Sequence, residues 1–148
     1  MSNSAVRHPP PLAPSEMLAV VKQQLARYAD SSDLAHDLAA GVAGITVLDV
    51  RAASAYASRH IPGAINVPHR QLSAERTADW PRDHLYITYC DSIGCNGSTK
   101  GALALAALGF QVKELLGGVD GWARDGHDFV TGEDAGVFGT AAPDACGC

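Results

Sequence analysis

Residues 85–108 read LYITYCDSIGCNGSTKGALALAAL, and this stretch decides the fold class of the 148-residue chain. Residues 85–89 are apolar, β-branched and aromatic, which predicts a buried strand. The alanine- and leucine-rich run from Ser98 to Leu108 predicts a helix, with Ser98 as its N-cap and Gly109 as its C-cap. The stretch is therefore a strand, a loop with two cysteines, and a helix.

The segments on both sides repeat this alternation of strand and helix. Strand patterns cover residues 45–50 and 112–116. Helical patterns begin at Ser15 (its predicted N-cap) and also cover residues 32–40, 52–59, and a short piece through Trp122; the polar stretch 70–79 allows another helix. Alternating elements of this kind predict an α/β protein with a central parallel sheet covered by helices on both faces. Ligands of such proteins bind at the carboxyl ends of the strands.

The length favours one domain with short tails. Residues 1–14 contain three consecutive prolines and predict a flexible N-terminal arm. Residues 15–130 carry the predicted single domain. Residues 131–148 are rich in Gly, Ala, Asp and Pro, which predicts a loosely ordered C-terminal tail.

Composition and charge exclude several classes of protein. The hydrophobic share of 47% argues against wholesale disorder. A net charge of −5 without any cluster of Lys or Arg argues against partners such as nucleic acid or an anionic membrane surface. No apolar run reaches the roughly 18 residues that span a bilayer, and the N-terminus lacks the apolar region of a signal peptide. We expect a cytoplasmic protein.

The four cysteines lie in one central loop and in the C-terminal tail. Because residues 1–89 contain none, a disulfide scaffold is not indicated. A catalytic or metal-binding role for the cysteines is the first hypothesis. The tail motif Cys146-Gly-Cys148 has two interpretations: a site for a soft metal or a persulfide relay, or two exposed thiols on a frayed terminus. No two histidines have the spacing of a ligand pair, so no zinc enzyme is indicated.

Cys90 leaves a predicted strand and faces the N-terminus of the next predicted helix. Unpaired amides and the helix dipole favour a thiolate there, so the cysteine has a low pKa and can act as a nucleophile that carries an anionic adduct. The same spacing also fits a buried, inert residue that serves packing. The spacing by itself leaves both interpretations open.

Several stretches resemble the rhodanese-like (sulfurtransferase) family, in order, over roughly residues 30–128. They are LDVR at 48–51, HIPGAINVP at 60–68, Tyr89-Cys90, KGALAL at 100–105, Gly109-Phe110 and GGVDGW at 117–122. The resemblance implies an α/β domain whose loop cysteine takes a sulfane sulfur from a donor such as thiosulfate. The resulting persulfide then passes its sulfur to cyanide or to a thiol.

By position, Cys90 matches the nucleophile of that family. The resemblance implies that the loop binds the persulfide and the departing sulfite through Asp91, Ser92, Ile93, Gly94, Asn96, Gly97 and Ser98. The implied partners are a small anionic sulfur donor and a thiol acceptor, either a small molecule or a protein. No metal and no organic cofactor is implied.

The loop also departs from the usual pattern of the family. Cys95 stands where typical loops have arginine, and the loop is longer than usual, as in a subset with the motif Tyr-Cys…Gly-Cys-Asn-Gly-x-Thr-Lys. Cys90 is the favoured nucleophile because it sits at the exit of its strand, and Cys95 is then a resolving partner or an alternative nucleophile. A Cys90–Cys95 disulfide depends on the separation of their Cα atoms.

An anionic donor needs positive charge in this acidic chain. Arg51, just past a predicted strand, and Lys100, near the loop, are the predicted sources, and His69 and Arg70 border the same face. A cysteine phosphatase would need an arginine to close the loop, and none occurs between Arg82 and Arg124. A non-catalytic regulatory module that senses oxidants or binds a partner remains the second hypothesis.

Overall fold

A computed structural model describes residues 4–139 as a five-stranded parallel sheet with helices on both faces, which confirms the predicted α/β class. The strand order is β1-β5-β4-β2-β3. The strands are β1 Tyr28–Ala29, β2 Ile45–Asp49, β3 Ile65–Asn66, β4 Leu85–Tyr89 and β5 Gln111–Leu115. Strand β4 lies at the centre of the sheet. The loop that follows it therefore lies at the middle of the edge formed by the carboxyl ends of the strands.

The described residues contain five α-helices. They are α1 Pro14–Arg27, α2 Ser31–Ala39, α3 Ala53–Ser58, α4 Gly97–Ala107 and α5 Gly118–Arg124, with 3-10 turns at Ala5–Arg7 and His69–Gln71. Helices α2, α3 and α4 connect strands, whereas α1 precedes β1 and α5 follows β5. No residue of α1 is buried. Within the described range, none of the helices is both long and apolar enough to cross a membrane.

Three helix predictions need correction. Helix α1 begins one residue early, because Pro14 occupies the first helical position after Ala13 and Ser15 lies inside. Helix α4 begins at Gly97 with Asn96 as N-cap, and Ser98 turns its hydroxyl to Glu114 instead. The helix allowed over 70–79 does not form beyond the 3-10 turn.

In that polar stretch, local hydrogen bonds replace helical ones. The Ser73 hydroxyl accepts from the Arg76 amide at 3.1 Å, and the Thr77 hydroxyl donates to the Ser73 carbonyl at 2.9 Å. Bonds of this kind offer the backbone an alternative to a regular helix.

Two hydrophobic layers hold the sheet between the helices. One layer contains Tyr89 and Trp122, and the other contains Leu48 and Leu105; each of these four side chains is fully buried. Strands β2 and β4 run in parallel register from Ile45 opposite Leu85 to Asp49 opposite Tyr89. Gly101 lets α4 sit close to the sheet, since a Cβ there would lie 3.0 Å from Val50 Cγ1. This packing aligns the ends of β2 and β4.

The segment after α5 returns to the domain. The backbones of His60 and Val130 exchange two hydrogen bonds of 2.9 Å, and the Gly63 amide donates to the Ala135 carbonyl at 2.7 Å. The Phe138 ring packs on Trp122. These contacts carry the folded part past the predicted boundary at residue 130. Residues 140–148, with Cys146 and Cys148, lie outside the described residues.

Candidate active site

The ends of β2 and β4 bring the predicted site residues to one edge of the sheet. Asp49 pairs with Tyr89 in the parallel register, and the Val50 amide donates to the Tyr89 carbonyl at 3.2 Å. Arg51 and Cys90 therefore leave neighbouring strands side by side. Parallel strands end at a common edge, which explains why the sequence could predict this meeting.

Cys90 and Cys95 are joined by a disulfide bond. Their Cα atoms lie 6.2 Å apart, within the range that a disulfide needs. The loop closes through a turn in which the Cys95 amide donates to the Ser92 carbonyl at 3.1 Å. Cys90 is 5% exposed, whereas Cys95 is partly exposed. In this state neither sulfur is a free thiol.

Both sulfurs lie against the first residue of α4. A Cβ on Gly97 would lie 2.9 Å from Cys90 Sγ and 3.5 Å from Cys95 Sγ, so a larger residue at this position would displace them. The sulfurs thus face the end of the helix at which amides lack intrahelical partners and the dipole is positive.

The start of α5 holds the other side of the loop. The amides of Val119 and Asp120 donate to the carbonyls of Cys90 and Asp91 at 3.0 Å and 2.8 Å. Gly118 has φ +58°, and a Cβ there would collide with the Cys90 carbonyl oxygen. Gly118 is therefore required for this close approach.

Arg51 is saturated with partners, which changes its predicted role. Its guanidinium binds both carboxylate oxygens of Asp49, with Nη2 at 2.7 Å from Oδ2, and Nη1 lies 3.1 Å from Asp91 Oδ1. Nη2 also donates to the Arg59 carbonyl at 2.6 Å. Burial disfavours the charge, but the hydrogen bonds to Asp49 and the nearby carboxylates outweigh it and raise the pKa of Arg51.

Two carboxylates therefore balance the charge of Arg51. With its side chain 6% exposed, it holds the turn after β2 against the cysteine loop and leaves little charge for an anionic donor. Asp49 has a structural role here, because its carboxylate accepts a hydrogen bond from the Arg51 amide at 3.0 Å.

A cleft of about 400 Å³ opens beside the disulfide. It is lined by Val50, Arg51, Ala52, Ala55, Pro68, His69, Arg70, Cys90, Asp91, Cys95, Asn96 and Gly97. Burial, together with the positive charges of Lys100 and Arg70, lowers the pKa of His69. His69 and Arg70 line this cleft, and the charge of Lys100 acts on His69; we call these three side chains the basic rim.

Sequence reasoning missed a buried carboxylate behind the loop. Glu114 of β5 is 5% exposed and accepts hydrogen bonds from Thr99 Oγ1 at 2.6 Å and Ser98 Oγ at 3.2 Å. Its other oxygen accepts from Arg27 Nε at 2.8 Å. These bonds connect the start of α4 to the end of α1. The only signal in the sequence is a pair of charged residues, Lys113 and Glu114, inside a predicted strand.

A profile of the rhodanese-like domain matches residues 31–125. The chain belongs to the rhodanese-like domain family. A solved structure of the BH2092 protein from Bacillus halodurans is 37% identical, with a TM-score of 0.78 over 82% of this chain and 88% of that one. The predicted fold and family are confirmed.

Two relatives of the rhodanese-like domain differ in their names. One is thiosulfate sulfurtransferase 16 of Arabidopsis thaliana, 36% identical over 65% of this chain and 87% of the relative. The other is an HTH-type transcriptional regulator of Mycobacterium tuberculosis, 33% identical over 62% of this chain. The chain covers only 40% of the length of that regulator.

The loop of this rhodanese-like domain distributes the predicted binding residues over two surfaces. Asp91, Asn96 and Gly97 line the cleft, and Lys100 lies at its rim. Ser92, Ile93 and Ser98 instead face a small pocket of about 50 Å³ on the side of Glu114. Gly94 is exposed and lines neither of these two pockets.

One group of potential metal ligands occurs in the described range. The ligand atoms of Cys90, Asp91 and Cys95 lie within 4.8 Å of one another. Thiolates, and not disulfide sulfurs, bind soft metal ions. This group therefore offers a ligand set only after the disulfide is reduced.

Proposed function

We propose that this rhodanese-like domain transfers sulfane sulfur through a persulfide on Cys90. The observation that carries the proposal is the position of Cys90 Sγ, at the end of β4 and against Gly97 at the N-terminus of α4. A thiolate and its anionic adducts gain from the unpaired amides and the dipole of that helix end.

The chemistry takes two displacement steps. The Cys90 thiolate attacks the sulfane sulfur of thiosulfate, the sulfur–sulfur bond of the donor breaks, and sulfite leaves with the electron pair. Cyanide or an acceptor thiolate then attacks the terminal sulfur of the persulfide, and the Cys90 thiolate leaves. No metal and no organic cofactor enters this scheme.

The basic rim accounts for attraction of an anionic donor. The cationic side chains of Arg70 and Lys100 lie near His69, and burial together with these charges lowers the pKa of His69. Arg51 is less suited to this role, because Asp49 and Asp91 already balance its charge. We therefore assign donor attraction to Arg70 and Lys100, and the loop amides from Asp91 to Ser98 to the departing sulfite.

The disulfide must be reduced before Cys90 can accept sulfur. A reducing compartment keeps such a bond open, so we propose the cytoplasm as the working location. The name of the Arabidopsis thaliana relative, a thiosulfate sulfurtransferase, supports thiosulfate as the first donor to test.

The test is thiosulfate:cyanide sulfurtransferase turnover, measured on the reduced protein and on the disulfide form. We expect turnover of the reduced protein and none of the disulfide form. A double variant, Cys146→Ser/Cys148→Ser, is the matched control and should keep full turnover. If the reduced protein forms no thiocyanate and releases no sulfite from thiosulfate, the proposal is wrong.

The disulfide itself favours a second candidate function, a regulatory module that senses oxidants. The match to a transcriptional regulator of Mycobacterium tuberculosis supports it. In that case the oxidised and reduced forms differ in binding to a partner, and reduced Cys90 has no sulfurtransferase turnover. The assay above separates the two candidates, because only the sulfurtransferase makes thiocyanate.

A further inference from the structure

The cysteine pair holds one group that the proposed sulfur transfer does not use, the sulfur of Cys95. We propose that Cys95 resolves the persulfide on Cys90, so that the protein releases the sulfane sulfur as hydrosulfide and is returned to its thiol form by an external dithiol. This inference rests on the proposed function, because it begins from the persulfide.

The geometry of the loop allows this reaction without rearrangement of the strands. The sulfurs of Cys90 and Cys95 are within bonding distance, and the Ser92–Cys95 turn holds Cys95 over the buried Cys90. Gly97 leaves room for both sulfurs against α4. A thiol held this close to a persulfide reacts with a large advantage over a thiol in solution.

The proposed step balances as a thiol–disulfide exchange. The Cys95 thiolate attacks Cys90 Sγ, a new Cys90–Cys95 bond forms, and the bond between Cys90 Sγ and the sulfane sulfur breaks. Hydrosulfide leaves with the electron pair. The sulfane sulfur is reduced, and the two cysteine thiols are oxidised to the disulfide that the structure contains.

The unequal exposure of the two cysteines determines which sulfur an external reductant attacks when the disulfide is reduced. Cys95 is partly exposed and Cys90 is 5% exposed, so an external thiolate reaches Cys95 Sγ. Cys90 then leaves as a thiolate beside the N-terminus of α4, which stabilises the leaving group. A second thiol on the same reductant then attacks the mixed disulfide and releases Cys95 as a thiolate. The reductant class is therefore a dithiol, and dithiothreitol is the probe.

The test is a single turnover of the full chain under anaerobic conditions. The protein is reduced, the reductant is removed, and thiosulfate is added in equal amount. Sulfite and hydrosulfide are measured separately, and hydrosulfide is trapped as it forms. The wild type should release about one equivalent of each and end with the Cys90–Cys95 disulfide.

The Cys95→Ser variant separates formation of the persulfide from its resolution. We expect sulfite release to remain and hydrosulfide release to fall at least ~10-fold, while a persulfide with about 32 Da of extra mass accumulates on Cys90. Sulfite release also shows that this variant is folded. The Cys90→Ser variant should release neither product. The Cys146→Ser/Cys148→Ser variant should behave as the wild type.

Three results would overturn the inference. Equal hydrosulfide release by Cys95→Ser and wild type would remove Cys95 from the step. A stable persulfide on Cys95 in the wild type would make Cys95 a relay for sulfur. Loss of hydrosulfide in Cys146→Ser/Cys148→Ser would assign the step to the tail. In each of these cases sulfite is still released, whereas no sulfite from any form would overturn the proposed function as well.

Discussion

Two neighbouring strand ends carry polar groups at the same edge of the sheet, and they differ in how many partners those groups have. After β2, the charges of Asp49 and Arg51 satisfy each other through three side-chain hydrogen bonds and are almost fully buried. After β4, the sulfurs of the two cysteines are bonded to each other, and the loop tip at Ile93 is 82% exposed.

This difference distinguishes the end of β2, whose polar groups stabilise the fold, from the end of β4, whose sulfurs can react. Position at the carboxyl edge brings both turns to the cleft, but a group whose hydrogen bonds are complete has no capacity left for a ligand. The sulfur of Cys90, in contrast, has a partner only while the disulfide persists, and reduction frees it to react. We therefore expect substitutions after β2 to change stability and substitutions after β4 to change activity.

Replacement of the nucleophile has the largest expected effect. Cys90→Ser should lower thiosulfate:cyanide turnover of the reduced protein by at least ~10³-fold, because the hydroxyl does not form the persulfide. The unfolding midpoint in urea, compared with that of the reduced wild type, shows whether the variant is folded. Turnover within a few-fold of wild type would contradict the assignment.

Removal of the arginine after β2 should instead weaken the fold. Arg51→Met leaves the buried carboxylate of Asp49 without its counter-ion, and we expect a loss of about 3–5 kcal/mol in the free energy of unfolding. Urea denaturation measures it. The control is Arg59→Met, which breaks an exposed pair with Asp120 of 3.4 Å and should cost at most about 1 kcal/mol. Wild-type stability of Arg51→Met with a raised KM for thiosulfate would make Arg51 a donor-binding residue.

The basic rim should have a moderate effect on donor binding. Arg70→Met combined with Lys100→Met should raise KM for thiosulfate roughly 3- to 10-fold, and the difference should shrink at high salt. Lys22→Met removes one positive charge from the exposed helix α1 and, as the control for each single substitution, should leave KM unchanged. An unchanged KM in the double variant would mean that the loop amides alone attract the donor.

The smallest predicted effect is in the titration of His69. Burial and the charges of Lys100 and Arg70 lower its pKa below the usual value of about 6.5, so NMR should find its midpoint below that of a free histidine. The Lys100→Met variant should raise the midpoint. Because the folded state disfavours the charged form, the contribution of His69 to stability is present above about pH 6.5 and decreases as the pH falls. A midpoint at or above 6.5 would mean that the charges of Lys100 and Arg70 do not act on His69.

The fold and the place of the site could be predicted from local patterns. The strand at 85–89 and the glycine-bounded loop before the alanine-rich helix mark one strand–loop–helix unit, and alternation along the chain implies parallel strands. Parallel strands bring Arg51 and Cys90 to one edge without any further information. Short local signals were sufficient because both residues follow their strands directly.

What could not be predicted depends on contacts between distant parts of the chain. The pairing of Arg51 with Asp91 joins residues from two loops, and the bonds of Glu114 to Arg27, Ser98 and Thr99 join three elements. The disulfide depends on the separation of the Cα atoms of Cys90 and Cys95, which spacing in sequence does not determine. The helix allowed over 70–79 was wrong because the hydroxyls of Ser73 and Thr77 compete with helical bonds.

The location of the transferred sulfur tests the central claim most directly. The reduced single-cysteine loops, Cys95→Ser and Cys90→Ser, are each treated with thiosulfate and alkylated, and the tryptic peptide 83–100 is analysed by mass spectrometry without reduction. We predict an increase of about 32 Da, one sulfur atom, on Cys90 of the Cys95→Ser protein and none on Cys95 of the Cys90→Ser protein. Sulfur on Cys95 together with an unmodified Cys90 would contradict the account.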